Sequence, residues 1–595
     1  MKSQKLAGAL AALLAASSLV GCSGSGSDSG STGADNTGTE DVTGDAGTAA
    51  VIYGGSNYVR IVDEELNNAL VAGKKTTDMD ESIASYKKAF VKESELAPYL
   101  PMYGNHLFNI FAKGINLKTG PVCNWSQALA DATMENGDTL IVGMTQELAG
   151  VFSPLYATTA YDQYVTNMVY QTLLAYDANS ELYGQAAEAV PEAAEDGSSV
   201  TFKLRKGLKF SDGSDLTADD VKFTFTLAAD PEYIGGRLDG TFDFIEGWND
   251  YQEGDAEEVS GIVVEDPQTI TFKLAEPDID AVTTIGGLGI ISSKQFEYSK
   301  GAMGEYKDNT SDTLGSGAYK VNNYDKSSGA SLVKNENYGG EGKFAIEKVI
   351  IKTVATATEL ASLQNGDVNY FPELIEASII APATKDDKLD YDYYFRAAEG
   401  YIGFNCADGP TTDPAVRQAL SYATDREAFV KAFYDMSDAA PDAQNVGLGY
   451  VPTAFWSPVA VGMGDATTGK ETIDGAVDYK FDIEKAKQIL EDAGWKEGSD
   501  GIREKDGQKL TIKFLLSEGN SVLEMLVPMI LDTWGQIGVD LQQSTVDFNT
   551  LIDTVGVDST DISSWSCFFM ATSFTGLSNT SMNDLLGYSE MNETE

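Results

Sequence analysis

The chain contains a single histidine, His106, and four cysteines, Cys22, Cys123, Cys406 and Cys567, among 595 residues. No two cysteines fall in a C-x-x-C spacing, so neither a zinc knuckle nor a thioredoxin-type dithiol is encoded. One imidazole cannot build a zinc or nickel site that depends on several, and no metal or cofactor is expected. It also limits Ser or Cys triads, and no G-x-S-x-G elbow occurs in the body. Gly464, Gly469 and Lys470 nearly spell a phosphate loop. Glu471 stands where a Mg²⁺-binding hydroxyl belongs, and no helical pattern follows directly, so the segment reads as an ordinary loop. Carboxylates are the abundant reactive group, with 91 acids against 41 Lys and Arg. They permit a secreted hydrolase working through a carboxylate pair, but among so many acids some pair lies close by chance. The residue types favour a binder over an enzyme.

The net charge of −50 argues against nucleic acid, whose phosphates need Lys and Arg. It argues equally against adhesion to an anionic membrane surface. Its simplest consequence is solubility through self-repulsion, consistent with a monomer. The length allows two or three domains, or one large two-lobed body, and 42% apolar residues can fill its core.

The N-terminus reads as an address. Lys2 and Lys5 precede an apolar run from Leu6 to Val20 that is short for a membrane span. It closes on Leu19, Val20, Gly21 and Cys22, which match the bacterial lipobox and imply cleavage before Cys22 and lipidation of its thiol. Residues 1–21 are then a signal peptide. Ser23 to Ala50 holds no basic residue and little to bury, so 22–50 is expected to be a disordered tether, with an r.m.s. reach of roughly 30 Å. The expected location is extracytoplasmic, lipid-anchored to the outer face of the cell membrane. With Cys22 consumed the remaining thiols are odd in number, which disfavours a full disulfide framework. No later segment has the run of about 18 apolar residues a membrane helix needs.

The body alternates β-rich runs with helical patterns, as in α/β lobes. Thr139 to Met144 reads as a buried strand. Val200 to Leu204 and Thr269 to Leu274 both contain TFKL, alternate with period two and read as hairpin strands. Thr217, followed by Asp219 and Asp220, caps a helix. Asp413 and Pro414 start another, with Val416, Leu420 and Phe429 expected on its buried stripe. Asp482 to Gly494 is a third, with Ile483, Ala486, Ile489, Leu490 and Ala493 inward.

Several of these stretches carry a resemblance. VTFKLRKGLKFSDGSDLTADDVKFTF (Val200 to Phe225), KNENYGG (Lys334 to Gly340), LQNGDVNYF (Leu363 to Phe371), YIGFN (Tyr401 to Asn405), DPAVRQALSYATDREAFV (Asp413 to Val430) and FDIEKAKQILEDAGW (Phe481 to Trp495) occur in this order. Together they resemble the family 5 extracellular solute-binding proteins of ABC importers, which include oligopeptide and dipeptide binders. The resemblance implies an α/β, two-lobed periplasmic-binding-protein-like fold of type II, in the large cluster with an extra subdomain. It implies capture of a small solute, foremost a peptide, in a cleft between lobes, and delivery to ABC permease subunits. A chemosensory lipoprotein on the same fold is the other non-enzymatic reading. Nickel and haem carriers share the fold, but one histidine suits them poorly.

Asn57 to Trp125, which includes ELAPYLPMY (Glu95 to Tyr103), is similar to the family's C-terminal segment, placed here at the N-terminal end. This predicts a circular permutation: 51–105 as part of lobe 2, 106–395 as lobe 1 with its extra subdomain, and 396–595 as the rest of lobe 2. The crossings between lobes are expected near Tyr103 to Ile110 and Phe395 to Asn405. The matching positions nominate Gln146, Glu147 and Phe152 after the first strand of lobe 1 as ligand contacts. Tyr401, Phe404 and Asn405 at a crossing, Phe455 and Trp456 in a Pro/Gly-rich loop, and Trp565 complete the set, though core packing competes as the explanation for each aromatic. Peptide binders of the family place an Asp after that Trp to pair with the ligand's ammonium. Here no acid lies between Asp561 and Asp584, which leaves Glu147 as a substitute or a ligand other than an ordinary peptide, such as a sugar.

Overall fold

The computed structural model describes residues 51–233, 238 and 240–590. The expected signal peptide, the expected lipidation site Cys22 and the expected tether lie outside the described residues. In chain order the principal strands are β1 (Val51–Tyr53), β2 (Tyr99–Ala112), β3 (Thr139–Met144), β4 (Tyr319–Asp325), β5 (Gly329–Lys334), β6 (Lys348–Thr353), β7 (Tyr370–Leu374), β8 (Leu389–Phe404), β9 (Thr511–Ser517), β10 (Asp540–Val546), β11 (Cys567–Ser573) and β12 (Tyr588–Glu590). The helices that bear on the site are α1 (Glu64–Lys74), α2 (Met79–Leu96), α3 (Ala160–Val169) and α4 (Glu359–Asn365).

One 11-stranded sheet organises the molecule, in the order β4-β5-β6-β3-β7-β2-β8-β11-β9-β10, with Gly449–Tyr450 appended to β2. On one side β6 and β7 flank β3, both parallel to it. On the other, β9 runs parallel to β10 and β11. Parallel strands need both faces covered, and each side accordingly has its own core. Leu140, Val142 and Trp125 pack with Phe202 and Phe225 in the first lobe. In the second, Val416, Leu420, Phe514 and Trp534 form one cluster, and Tyr58, Leu70, Phe90 and Trp456 another.

The two lobes are joined through β2 and β8, which have 14 and 16 residues where a strand commonly has about 5–6. They are antiparallel partners along their whole length. The later half of β2 also pairs with β7, whereas the later half of β8 pairs with β11. Their register slips between Phe395 and Glu399 and again between Gly400 and Tyr401. Glycine is required there: a Cβ on Gly400 would run into the Tyr103 ring, and one on Gly104 into the Tyr450 ring.

The two TFKL strings become strands Ser199–Lys203 and Thr269–Lys273, which pair with each other, Val200 opposite Phe272. Ile262–Asp266 completes this three-stranded subdomain sheet. Thr217 and Asp220 form a capping box for Ala218–Ala228. The helix started by Asp413 and Pro414 is shorter than its apolar pattern suggests. It ends at Tyr422, and Phe429 belongs to the next helix, Arg426–Phe433, because the Asp425 carboxylate accepts from the Ala428 N–H at 3.0 Å and caps a fresh start. Asn57 to Trp125 is built into the body: Asn57 Nδ2 donates to the Gly587 carbonyl at 3.1 Å, Tyr86 Oη donates to Asn583 Oδ1 at 2.8 Å, and β2 lies mid-sheet.

Candidate functional site

Side chains leaving the carboxyl ends of adjacent parallel strands converge, which makes those ends the usual ligand crevice of an α/β sheet. Here the ends of β6, β3 and β7 open onto one cavity of 530 Å³, within the about 300–1,000 Å³ typical of small-ligand sites. Met144 ends β3 and Thr145 follows it, Thr356 and Ala357 follow β6, and Phe371 to Glu376 come from β7 and its exit. The α3 N-terminal half adds Tyr161 and Tyr164. Across from this first-lobe wall stand Arg396 of β8 and Ser573 of β11. The cavity therefore lies where the two halves of the sheet face each other, beside the register slip.

Two of its walls hold strained backbone. Ala357 and Glu373 are non-glycine residues at φ +68° and +56°, conformations that cost about 1–3 kcal/mol each and cluster at ligand sites. Glu373 is over-determined: its N–H donates to Asn109 Oδ1 at 3.1 Å, and its carboxylate accepts from Tyr164 Oη at 2.5 Å and Tyr394 Oη at 2.8 Å. Burial first, and the Glu373 carboxylate second, hold both phenols well above their ordinary range, so they remain donors. Burial raises Tyr161 as well, against a lowering hydrogen bond from Thr145. Gly143 admits the Phe371 ring, since a Cβ there would sit 2.6 Å from Phe371 Cε2.

Glu359, in the first turn of α4, is 3% exposed and lines the cavity, and its Oε2 has no hydrogen-bond partner among the described residues. Glu376 is exposed, and its Oε2 accepts from the Ile375 N–H at 3.2 Å. A separate cavity of 110 Å³ lies within the first lobe beside Gln171, both of whose amide atoms lack partners. It is sized for a few waters at about 30 Å³ each and does not reach the second lobe.

A second contact joins the lobes away from β2 and β8. The loop Glu276 to Asp280, which follows the subdomain sheet, meets the end of α1 and the turn after β11. Asp280 Oδ2 accepts from Ser578 Oγ and, at 2.6 Å, from Thr580 Oγ1. Lys74 faces Asp278 at 3.6 Å, Lys75 faces Glu276 at 2.5 Å, and the Ile279 N–H donates to the Lys74 carbonyl at 3.0 Å.

The sequence-nominated residues divide. Gln146 and Glu147 are exposed just beyond β3, one and two positions past the cavity-lining Thr145. Phe152 is fully buried in the first-lobe core, edge-on to Tyr324 at 5.0 Å. Tyr401, Phe455, Trp456 and Trp565 are brought together, but inside one core cluster of the second lobe. The Phe455 ring lies tilted against Tyr99, centroids 4.2 Å apart, Trp456 donates to Asn579 Oδ1 at 2.8 Å, and Arg60 lies over Trp565. Phe404 is wholly buried in the neighbouring cluster. Asn405 is a staple: its Nδ2 donates to the Ile562 and Trp565 carbonyls, and its Oδ1 accepts from the Ala407 and Asp408 N–H groups. None of the nine nominated residues lines the cavity. The residues that do, Glu359, Glu373, Tyr161, Tyr164 and Arg396, were not nominated. The available signal was the strand-end position, since LQNGDVNYF leads directly into Pro372, Glu373 and Glu376.

Among the described residues, no group of three or more His, Cys, Asp or Glu is placed to hold a metal, and no helix is long and apolar enough to cross a membrane.

Comparison with known proteins agrees with this architecture. Residues 181–587 match the model of bacterial extracellular solute-binding proteins, family 5 Middle. The chain is 28% identical to the oligopeptide-binding protein AppA of Bacillus subtilis over 429 residues, 72% of each protein. Among solved structures, the ABC transporter substrate-binding protein CtaP of Listeria monocytogenes aligns with a TM-score of 0.56 at 22% identity, covering 76% of this chain and 81% of that one. Lactococcal OppA, solved with an endogenous peptide in the closed conformation, aligns at 0.53 and 20% identity over 76% and 84%. The two-lobed fold, the parallel strand ends facing a cavity and the match over most of the body place this chain in the bacterial extracellular solute-binding proteins of family 5.

Proposed function

We propose that this protein is a lipid-anchored solute receptor that captures a peptide in the cavity between its lobes and delivers it, chemically unchanged, to an ABC import permease. The observation that carries the reading is the 530 Å³ cavity, walled by three parallel strand ends on one side and by Arg396 and Ser573 on the other. A ligand there touches both lobes and so favours the closed arrangement over the open one. Peptide is the first candidate because the curated relative AppA is an oligopeptide-binding protein. Closure bends β2 and β8 near Phe395 and Glu399, where ladder hydrogen bonds are already interrupted. The test is mass spectrometry of the ligand released from purified, denatured protein, with small-angle scattering before and after it is restored. Intact peptide and a smaller radius of gyration on restoration support the reading. Cleaved products, or no change in radius, refute it. The anchor has its own test: Cys22→Ser should release the protein from the membrane fraction.

The permuted order is part of the same reading. Three features support it: β2 lies between β7 and β8, the Gly120 to Asp138 stretch connects it onward to β3, and β1 and β12 pair with Val51 opposite Glu590. Joining residue 590 to residue 51 through a short linker and opening the chain between Ser126 and Asp138 should yield a protein that folds and binds the same ligand.

A further inference from the structure

The crossing strands hide a group of polar side chains that the cavity does not use. Glu399 of β8 is 2% exposed, and neither of its carboxyl oxygens has a hydrogen-bond partner among the described residues. The same holds for Glu93 Oε2 on α2, for Arg426 Nε and for Tyr450 Oη. Glu399 and Tyr450 pair with Gly104 from opposite sides of β2. The Tyr450 ring occupies the place a Gly104 side chain would take, which carries its hydroxyl across β2 toward Glu399. Burial first, and Glu93 second, push the Glu399 carboxyl well above its ordinary range, against Arg426 and the approach of the Trp456 N–H. Arg426 spends its guanidinium elsewhere, on the Pro101, Pro452 and Tyr479 carbonyls at 2.9, 2.8 and 2.7 Å and on Asp478 at 3.8 Å. Glu427 and Tyr479 also act on Arg426, and Tyr434 acts on Tyr450.

An ionised Glu399 would close on the idle Arg426 Nε. It does not, and a buried carboxylate with neither donor nor cation is too costly to hold. Glu399 is therefore neutral in this arrangement, in which the lobes also touch at Glu276 to Asp280. Its position gives that proton a consequence. Glu399 ends the register slip that begins at Phe395, and the cavity-lining Arg396 lies inside the slip. Across the ladder it faces Thr572 of β11, the neighbour of the cavity-lining Ser573.

We propose that Glu399 couples lobe closure to proton uptake: it is neutral while the lobes are shut and ionises when β2 and β8 bend open, exposing it to water or to Arg426 Nε. The proposal rests on the lobes closing over the cavity. Glu93 belongs to α2, within the second lobe, and stays buried and neutral in both arrangements. The shut state holds the proton more tightly, so acid favours it. As pH rises above the ordinary carboxylate value of about 4.3, the closed-to-open ratio should fall by at most about tenfold per pH unit for this one group.

Small-angle scattering of the full-length protein, stripped of its co-purified solute, reads that ratio as a radius of gyration at about pH 5 and about pH 8. The wild type should be more compact at the lower pH. Glu399→Gln, permanently neutral, should stay compact at both, and Glu93→Gln should respond as the wild type does. A wild-type radius that ignores pH overturns the proposal, and this comparison stands even if the Gln variant folds poorly. An unchanged pH response in Glu399→Gln also overturns it, by assigning the compaction to the general loss of negative charge. Loss of the response in Glu93→Gln overturns the assignment to Glu399. If restoring the co-purified solute shrinks the protein but acid does not, the receptor reading survives and this proposal falls. If neither shrinks it, both fall.

Discussion

The contact around Asp280 makes a quantitative claim about closure. If Glu276 to Asp280 clasps the second lobe when the cavity is shut, weakening it should speed ligand escape and leave capture alone. Asp280 Oδ2 accepts from two hydroxyls, Ser578 Oγ and Thr580 Oγ1, in a partly buried setting. A hydrogen bond to a charged group contributes about 1.5–3 kcal/mol, and two donors sharing one oxygen add less than twice that. Asp280→Ala should therefore cost the closed state about 2 kcal/mol, or roughly 30-fold in the closed-to-open ratio. Lys75 and Glu276 are both about half exposed, at 47% and 46% of the side chain, and such pairs contribute about 0.2–1 kcal/mol. Lys75→Ala should change the ratio by at most about fivefold, and raising salt should erase that difference. Stopped-flow release of the co-purified ligand measures the effect. The expected result is a roughly 30-fold faster dissociation in Asp280→Ala with an association rate within about threefold of wild type. The clasp reasoning fails if the two variants release ligand equally fast. It fails also if the faster release of Asp280→Ala comes with an equal loss of global stability, since the carboxylate would then be holding the fold rather than the closed state.

Three further outcomes follow from the same geometry. Gly143→Val would drive a side chain into Phe371, overpacking that costs about 1–3 kcal/mol. The ring's escape is into the cavity, so calorimetry should show ligand binding weakened by tenfold or more in a protein with near-native circular dichroism. His106 is buried against Phe395, its ring centroid 4.3 Å away, and burial pushes its pKa down to about 4. The folded state thus disfavours the protonated imidazole, so stability from this group is present above pH about 6.5 and is lost as pH falls toward 4, by at most about 3 kcal/mol. Relative to wild type, His106→Phe should gain stability steadily between pH 7 and pH 4 in urea titrations. Glu93 and Glu399 are buried in the second lobe, and burial raises both well above the carboxylate range. Their folded pKa lies above the unfolded one, so the stability they allow at low pH falls as pH rises past about 4.3. Glu93→Gln should therefore raise the melting temperature at pH 7 and lose that advantage near pH 4, about 1.4 kcal/mol being gained for each tenfold weakening of the acid.

The fold was largely legible in the sequence because its signals are local. TLIVGM is a short apolar run of the kind buried strands use, and it forms a strand parallel to both neighbours; Thr217 and Asp482 cap their helices as their side chains dictate. The misread helix after Asp413 failed for a local reason too, a second cap at Asp425 inside an unbroken apolar stripe. The site was less legible. Glu359 looks like any surface acid at the start of a helix, yet it is 3% exposed in the fold. Long-range pairing decides that burial, and no spacing within α4 reports it.

The nominated aromatic residues lie in a sealed core, as a two-lobed receptor would require. A receptor that closes by moving two bodies needs each body to keep its shape, and in a sheet protein that requires sealed aromatic cores. Tyr401, Phe455, Trp456 and Trp565 serve that purpose, packed with Tyr99 and Phe574 out of reach of the cavity. The ligand wall cannot be built the same way. It must stay incomplete until a solute arrives, so it carries polar groups with open valences and backbone held in costly conformations. On the first-lobe side of the cavity Ala357 and Glu373 hold positive φ, and Glu359 Oε2 has no partner among the described residues. The second lobe contributes to the cavity through strands that continue from the crossings, at Arg396 and Ser573. A solute bound first to the strained wall would then draw β8 and β11 toward it, and the short path from those residues to the register slip at Phe395 and Glu399 lets a contact at the cavity act directly on the bend.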